Sequence, residues 1–310
     1  MESIRGIVSF VHTVSAGSFS DAARQLGIST VSVSRNVQRL ERELGVRLLY
    51  RTSRSLSLTD EGRTLYEASR HVLAELDAAR EAASDRRDEA AGLVRATSVS
   101  ALGRLYVVPL LPKFRERYPR VRIELLSADR IVDMIAEGFD VGIRAGTVPD
   151  ANIVVRKLAD VPRVVCAAPD YIAEHGEPST PDELVSHDCI NFRLASTGRV
   201  MKWEFRQGEE TLAIEGRGAL VLNDMQAVGE AAVAGLGLAQ LPSFVAMPHI
   251  RDGRLLPVLI DYAPPPVPFF VHYAARRLQP ARVRVFVDFL IEHLANHPDL
   301  TFDPGQKSAH

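Results

Sequence analysis

The feature that most constrains this chain is the tight apolar patterning of its first sixty residues, where short helical stripes are cut apart by single glycines. Ile4, Ile7, Val8, Val11 and Val14 recur at helical spacing and stop near Gly17, which predicts a first helix. Ala22, Ala23 and Leu26 form a second, very short stripe, with Ser20 placed as its N-cap, Asp21 in the first turn and Gly27 behind it. Small alanines let another helix cross closely, and Gly27 can take the left-handed backbone that reverses the chain within a few residues. Ser29 then caps a third helix whose buried stripe is Val33, Val37, Leu40 and Leu44, stopped by Gly45.

The other face of that third helix carries Thr30, Ser34 and Gln38 in an i, i+4 series, with Ser29 and Val31 beside its start. Short side chains let a helix backbone sit deep in a major groove, where hydroxyl and amide groups reach base edges. Arg35, Arg39 and Arg42 flank the series at phosphate reach. Beyond Gly45, Val46–Leu49 and Leu56–Leu58 read as two strands around a polar turn that holds Arg51 and Arg54, a wing with arginine at its tip. The whole chain has a formal net charge of −2, but residues 1–60 hold eight arginines against five acidic residues, a local excess of +3. Arginine's planar fork suits phosphates and guanine edges. A helical hairpin alone would fit many enzymes; hairpin, capped third helix, wing and positive charge in this order point to duplex DNA.

From Thr59 to about Ala90 there is no proline, and the one glycine, Gly62, lies in the first turn beside Asp60 and Glu61. A long helix is predicted. Leu65, Ser69, Val72, Leu76, Ala79 and Ala83 alternate spacings of four and three, the seam of two helices packed along their length. Packing of this helix on its own domain is the competing reading. A two-fold dimer would present two readers to two half-sites, so Leu65, Val72 and Leu76 are the candidate pairing residues.

After the charged run 85–89 the texture turns to alternating strands and helices. Leu93–Val99, Val121–Leu126 and Val141–Arg144 read as strands, with helices at about Leu102–Tyr118 and Ile131–Ala136 between them, which predicts a largely parallel, doubly wound sheet. A second set runs through Val164–Cys166, Trp203–Phe205, Ala219–Leu222, a helix at about Met225–Ala234, and Leu238–Gln240. Pro162 and Pro264–Pro266 are natural crossovers between two lobes, and a last helix at about Ala281–Leu294 returns to the first. The tail after Pro298 is expected to be mobile. Ligands in open α/β sheets sit at the carboxyl ends of strands, which singles out Ser98, Ser100, Ser127 and Arg144, with Asn223 before the second-lobe helix. For the serines, capping of the next helix competes with ligand contact. For Arg144, a salt bridge to Asp140 or Asp129 competes with an anionic effector.

The chain resembles the LysR-type transcriptional regulators. The resemblance rests on Gly17-Ser18-Phe19-Ser20, Ala22-Ala23, Leu26, Ser29, Val33-Ser34-Arg35, Leu40-Glu41, Leu44-Gly45, Leu48-Leu49, Arg51 and Leu58-Thr59-Asp60-Glu61-Gly62. It continues through Val107–Pro112 with Phe114 and Tyr118-Pro119, then Gly138–Arg144, Ala234–Gly237 and Leu241-Pro242. Where that family often has Gln-Pro this chain has Thr30-Val31, so a base contact from that glutamine does not carry over. The resemblance implies an α/β protein with a winged helix-turn-helix at 1–58, a linker and dimerisation helix at 59–90, and a two-lobed effector domain at 91–300. That domain is expected to have the periplasmic-binding-protein-like (type II) fold, with lobe 1 at about 91–161 and 267–300, lobe 2 at about 162–266, and a mobile tail at 301–310. The implied partners are operator DNA, a small-molecule effector with an organic acid as the class Arg144 suggests, further copies as homodimer or homotetramer, and RNA polymerase.

Other classes fit less well. No G-x-S-x-G, H-E-x-x-H or Walker glycine loop is present, and Gly235 and Gly237 follow a helix instead of a strand, so neither an enzyme nor a cofactor is expected. His187-Asp188-Cys189 are sequence neighbours that converge poorly on one metal, and Cys166 and Cys189, the only cysteines, are expected to be buried free thiols. A free solute-binding protein would share the sensor fold, but it needs no DNA module and would carry an export signal that this N-terminus lacks. No stretch stays apolar long enough to cross a bilayer, and a cytoplasmic location is expected.

Overall fold

The computed structural model describes residues 2–51, 56–83, 90–146, 153–275 and 279–302. They divide into two compact units, one of residues 2–83 with 279–280 and one of residues 90–275 with 281–302.

The first unit contains α1 (Glu2–Ala16), α2 (Phe19–Leu26), α3 (Thr30–Leu44), β1 (Leu49–Arg51), β2 (Leu56–Leu58) and α4 (Asp60–Ala83). The N-cap of α2 is Ser18, not Ser20: its Oγ accepts from the Asp21 N–H at 3.0 Å and donates to the Asp21 carboxylate, so the helix begins two residues earlier and takes in Phe19. Ser29 caps α3 as expected, and Gly27 and Gly45 both take the left-handed conformation, with φ of 65° and 71°. The first wing strand starts at Leu49 instead of Val46, because the Glu41 carboxylate accepts from the N–H groups of Leu48 and Leu49 and holds that segment against α3. Phe10, Val37, Leu40, Leu48 and Leu49 form the core, joined by Leu65, Tyr66 and Leu73 of α4. Thr59 Oγ1 caps α4 by accepting from the Gly62 N–H at 2.9 Å and donates to the Arg47 carbonyl at 2.7 Å. A Cβ on Gly62 would lie 2.0 Å from the Leu48 carbonyl oxygen, so the close approach of α4 to the wing requires glycine.

The second unit opens with β3 (Gly92–Ser98), α5 (Ser100–Leu102), a π-helical turn (Gly103–Val107), α6 (Val108–Arg117), β4 (Val121–Ser127), α7 (Met134–Glu137), β5 (Val141–Ala145) and β6 (Ile153–Val161). The predicted helix from Leu102 thus starts at Ser100 and carries a π turn in its middle. The chain then crosses at Pro162 into β7 (Arg163–Ala167), α8 (Pro169–His175), β8 (Asn191–Phe192), β9 (Trp203–Gln207), β10 (Glu210–Ile214), β11 (Val221–Leu222), α9 (Met225–Val233), β12 (Ala239–Pro242), α10 (Ser243–Arg251) and β13 (Leu256–Val258). It returns through Pro264–Pro266 into β14 (Val267–Ala274) and α11 (Ala281–Leu294).

The first-lobe sheet has the order β4-β3-β5-β14-β6. The β3, β4 and β5 pairings are parallel as expected, but β14 enters antiparallel between β5 and β6. A mixed sheet therefore replaces the predicted, largely parallel one. The reason is the crossover: a strand returning from the other lobe beside Pro266 runs opposite to those that leave. In the second lobe β7 pairs antiparallel with β12 and β13. Phe114 of α6 meets Phe286 and Phe289 of α11 edge-on at 5.2 and 5.1 Å, closing the first-lobe core. Trp203 is buried in the second. Past Pro298 the chain does not come free at once: Asp299 and Leu300 are buried, and Asp299 is held by Tyr106, Arg251 and Ser243.

Candidate DNA-reading face and effector cleft

Helix α3 buries Val33, Val37 and Leu40 against α1 and α2. Alternation at helical spacing then forces Thr30, Val31, Ser34, Arg35 and Gln38 to the opposite side. Thr30, Val31, Arg35, Gln38 and Arg39 are exposed, Val31 at 60 %, an unusual degree for a β-branched apolar side chain in a well-packed hairpin. Ser34 is half-buried on the same face. Ser29, a predicted contact, is engaged otherwise: its Oγ accepts from the Ser32 N–H at 3.1 Å and meets the Ser32 hydroxyl at 2.8 Å, so it shapes the helix start. Arg42 Nε donates to the Gln38 carbonyl at 3.4 Å. Arg54 lies outside the described residues, and of Arg51 only the backbone is described, at the end of β1.

The predicted seam on α4 divides. Leu65 is taken by the core of its own unit, whereas Val72 and Leu76 stand out at 57 % and 51 % exposure. Tyr66 fixes the helix to α1 through a 3.0 Å hydrogen bond between its hydroxyl and Ser15 Oγ and an edge-on contact with Phe10.

In the second unit, Ser98 and Ser127 are register partners at the ends of β3 and β4. Both lie beneath the π turn: a Cβ on Gly103 would come within 2.7 Å of Ser127 Oγ and 3.3 Å of Ser98 Cβ. Ser100 follows at the start of α5, and its N–H donates to Asp129 Oδ1 at 2.9 Å. No serine hydroxyl caps that helix; a carboxylate from the next loop satisfies its first donor instead. Arg144 does not join this group. Thr97 pairs with Gly142 across β3 and β5, so Arg144, two residues on, shares the Thr97 face and not that of Ser98. Its guanidinium donates to the Ala128 carbonyl at 2.8 Å and to Thr97 Oγ1 at 2.9 Å. No ion pair to Asp140 or Asp129 forms; Asp140 accepts from the Arg95 N–H instead. Burial lowers the Arg144 pKa, with the nearby Asp129 charge opposing that shift.

Asn223 is exposed, and its neighbour Asp224 carries the interactions. Asp224 caps α9 by accepting from the Ala227 N–H at 2.9 Å, and its other oxygen lies 3.5 Å from Arg104 of the π turn. That ion pair joins the two lobes across the mouth between them. Sequence reasoning missed Asp224 and Arg104, and it named Asp129 only as a partner for Arg144, not for the Ser100 N–H. Only Asp224 had a local signal, an N-cap residue just before an apolar helix.

His187-Asp188-Cys189 has a structural role: the Tyr171 hydroxyl accepts from the Asp188 N–H at 3.0 Å, and Cys189 bridges to Leu238. Both cysteines are free and buried, which pushes the Cys166 thiol up to about 12 and Cys189 to about 11. Neither is a nucleophile at neutral pH. Among the described residues no group of three or more metal-ligating side chains is present, and no helix is long and apolar enough to cross a membrane.

Two families match the two units. The bacterial regulatory helix-turn-helix family of the lysR type matches residues 4–63, and the LysR substrate binding domain matches residues 87–295. An HTH-type transcriptional regulator of Xanthomonas campestris pv. campestris is 34 % identical over 92 % of this chain and 83 % of its own length. The regulator CrgA of Neisseria meningitidis is 34 % identical over 93 % of this chain and 96 % of its own. The solved structure of CrgA, described as a LysR-type transcriptional regulator, superposes with a TM-score of 0.63 at 32 % identity and covers 94 % of this chain and 98 % of that one. Full-length AphB of Vibrio cholerae, described as a virulence activator, gives 0.60 at 27 % identity, covering 94 % and 99 %. The exposed face of α3, the wing and the two-lobed sheet domain are therefore the parts of a DNA-binding, effector-responsive regulator and not of an enzyme, and the chain belongs to the LysR-type family of transcriptional regulators.

Proposed function

We propose that α3 enters the major groove with Thr30, Val31, Ser34 and Gln38 against base edges, while Arg35, Arg39 and the wing arginines Arg51 and Arg54 hold phosphates. The observation that carries this reading is the exposed row opposite Val33, Val37 and Leu40. It is a face of short polar side chains and one bare valine, fitted to hydroxyl, amide and thymine-methyl contacts. Val72 and Leu76 of α4 pair two copies, so that two α3 helices meet two half-sites one helical turn apart. The resulting regulator works in the cytoplasm and answers to RNA polymerase at its promoter.

The effector site is proposed between the lobes, around Ser98, Ser100 and Ser127 with Arg104 and Asp224, and with Arg144 on the adjoining face. The protein's own carboxylates already occupy the donors there: Asp129 holds the Ser100 N–H and Asp224 holds Arg104. A donor set satisfied by carboxylates is one that a carboxylate ligand can take over, which makes an organic acid the proposed class. Thermal unfolding of the full-length protein with a panel of aliphatic and aromatic carboxylates tests it. A stabilising acid should lose its effect in Arg104→Ala. A shift that survives unchanged in both Arg104→Ala and Arg144→Ala places the ligand elsewhere.

A further inference from the structure

A cavity of about 800 Å³ lies away from that cleft, at the two points where the chain crosses between lobes. Its size is that of an ordinary small-molecule site, roughly 300–1,000 Å³. One wall belongs to the first lobe: Lys157 and Asp160 at the end of β6, and Asn296 and Phe302 of the segment after α11. The other belongs to the second: Arg206 of β9, the turn Ile260-Asp261, and the crossover prolines Pro264–Pro266. None of the residues around Ser98, Ser100, Ser127 and Arg144 reaches it.

The charges of the cavity are unevenly satisfied. Lys157 Nζ and Asp160 Oδ2 pair with each other at 2.6 Å. Arg206 and Asp261 stand on adjoining elements, both exposed, and neither side chain has a hydrogen-bond or ion-pair partner among the described residues. Beside them the proline rings, Ile260 and Phe302 offer an apolar surface. A ligand that fits this lining carries one positive and one negative group close together and an apolar body beyond them.

We propose that this crossover cavity is a second small-molecule site, independent of the cleft effector, which takes an α-amino acid with an apolar side chain: carboxylate to Arg206, ammonium to Asp261, side chain against Pro265 and Phe302. The location gives the site leverage on the lobes. Phe302 lies three residues beyond Asp299, which accepts from the Tyr106 hydroxyl at 2.9 Å and pairs with Arg251, while its backbone carbonyl accepts from Ser243 Oγ at 2.6 Å. The segment that walls the cavity is thus the same one that fastens the end of α11 to α10 of the second lobe. An occupant touching Arg206 on one lobe and Phe302 on the other restrains the angle between them.

Isothermal titration of the full-length protein with L-leucine and L-phenylalanine tests the proposal, with 4-methylpentanoate and isoamylamine as leucine analogues that each lack one charge. At least one of the two amino acids should bind, each analogue at least about tenfold more weakly than leucine or not at all. Arg206→Ala and Asp261→Ala, both exposed positions, should each weaken amino-acid binding by about tenfold or more, and Arg104→Ala should leave it unchanged. Operator affinity without ligand should be the parent's in both cavity variants, which separates failure of this site from failure of the DNA-binding reading. Absence of binding by both amino acids overturns the proposal, as does an analogue that binds as tightly as leucine. Retention of affinity in both cavity variants, or its loss in Arg104→Ala, also overturns it.

Discussion

Replacing Asp299 by alanine should destabilise the effector domain by an amount that the local geometry sets. The carboxylate is buried at 4 % side-chain exposure and takes the Tyr106 hydroxyl at 2.9 Å together with both terminal nitrogens of Arg251. A hydrogen bond to a buried charged group contributes about 1.5–3 kcal/mol. Arg251 is half exposed, so its pair adds no more than about 1 kcal/mol after solvent screening. Tyr106 keeps the Phe244 carbonyl at 2.8 Å as a second acceptor, so the substitution leaves no orphaned hydroxyl to add to the cost. The sum is about 1.5–4 kcal/mol, which lowers Tm by about 3–16 °C for a domain of this size. Burial pushes the Asp299 pKa up, but the hydrogen bonds from Arg251 and Tyr106 outweigh it and hold the carboxyl below its ordinary value. The contribution is therefore complete above the unfolded-state value of about 4 and fades as pH falls through the lower folded-state value. Fluorescence of Trp203, the sole tryptophan and a buried one, reports the melt. The parent–variant gap should be constant from neutral pH down to about 5 and close only below about 4. A Tm within about 1 °C of the parent at neutral pH, or a gap that widens in acid, would refute the reasoning.

Three further substitutions bear on the first unit. Gly62→Ala drives a methyl into the Leu48 carbonyl, an overpacking that should cost about 1–3 kcal/mol in urea unfolding and weaken operator binding by moving the wing; a neutral result would show that α4 can shift freely. Leu76→Asp places a carboxylate at the exposed end of the α4 stripe and should dissociate dimers, read as a halved mass in sedimentation, whereas Leu65→Ala should act mainly on stability because Leu65 belongs to its own core.

Legibility in the sequence followed the range of the interactions. The hairpin could be read because its caps and stripes are local: Ser29, Gly27 and Gly45 each act within one turn. The error at Ser20 arose between two serines two residues apart, and only the fit of Phe19 against the core selects Ser18. The α4 stripe was visible, but periodicity does not say which part of a stripe meets which partner, and Leu65 fell to the domain while Val72 and Leu76 did not. β6 went unread because its register with β14 breaks at Phe269 and Phe270, which blurs the alternation of the pair. The effector residues were the least legible. Ser98 and Arg144 both end strands, yet their division between faces depends on the β3–β5 register, and Asp129 reaches Ser100 from 29 residues away.

The central claim is that α3 reads sequence, and binding by fluorescence anisotropy tests it most directly. Ser34→Ala and the parent are titrated with a duplex selected by the parent from a random pool and with an unselected duplex, each over a range of salt concentrations. Loss of a base contact typically costs about 1–3 kcal/mol on the cognate site alone and leaves the salt slope unchanged. Ser34→Ala should therefore narrow the gap between selected and unselected DNA by about fivefold to 150-fold at an unaltered slope. Equal weakening on both duplexes, or a reduced slope with discrimination intact, would contradict the placement of α3 in the major groove.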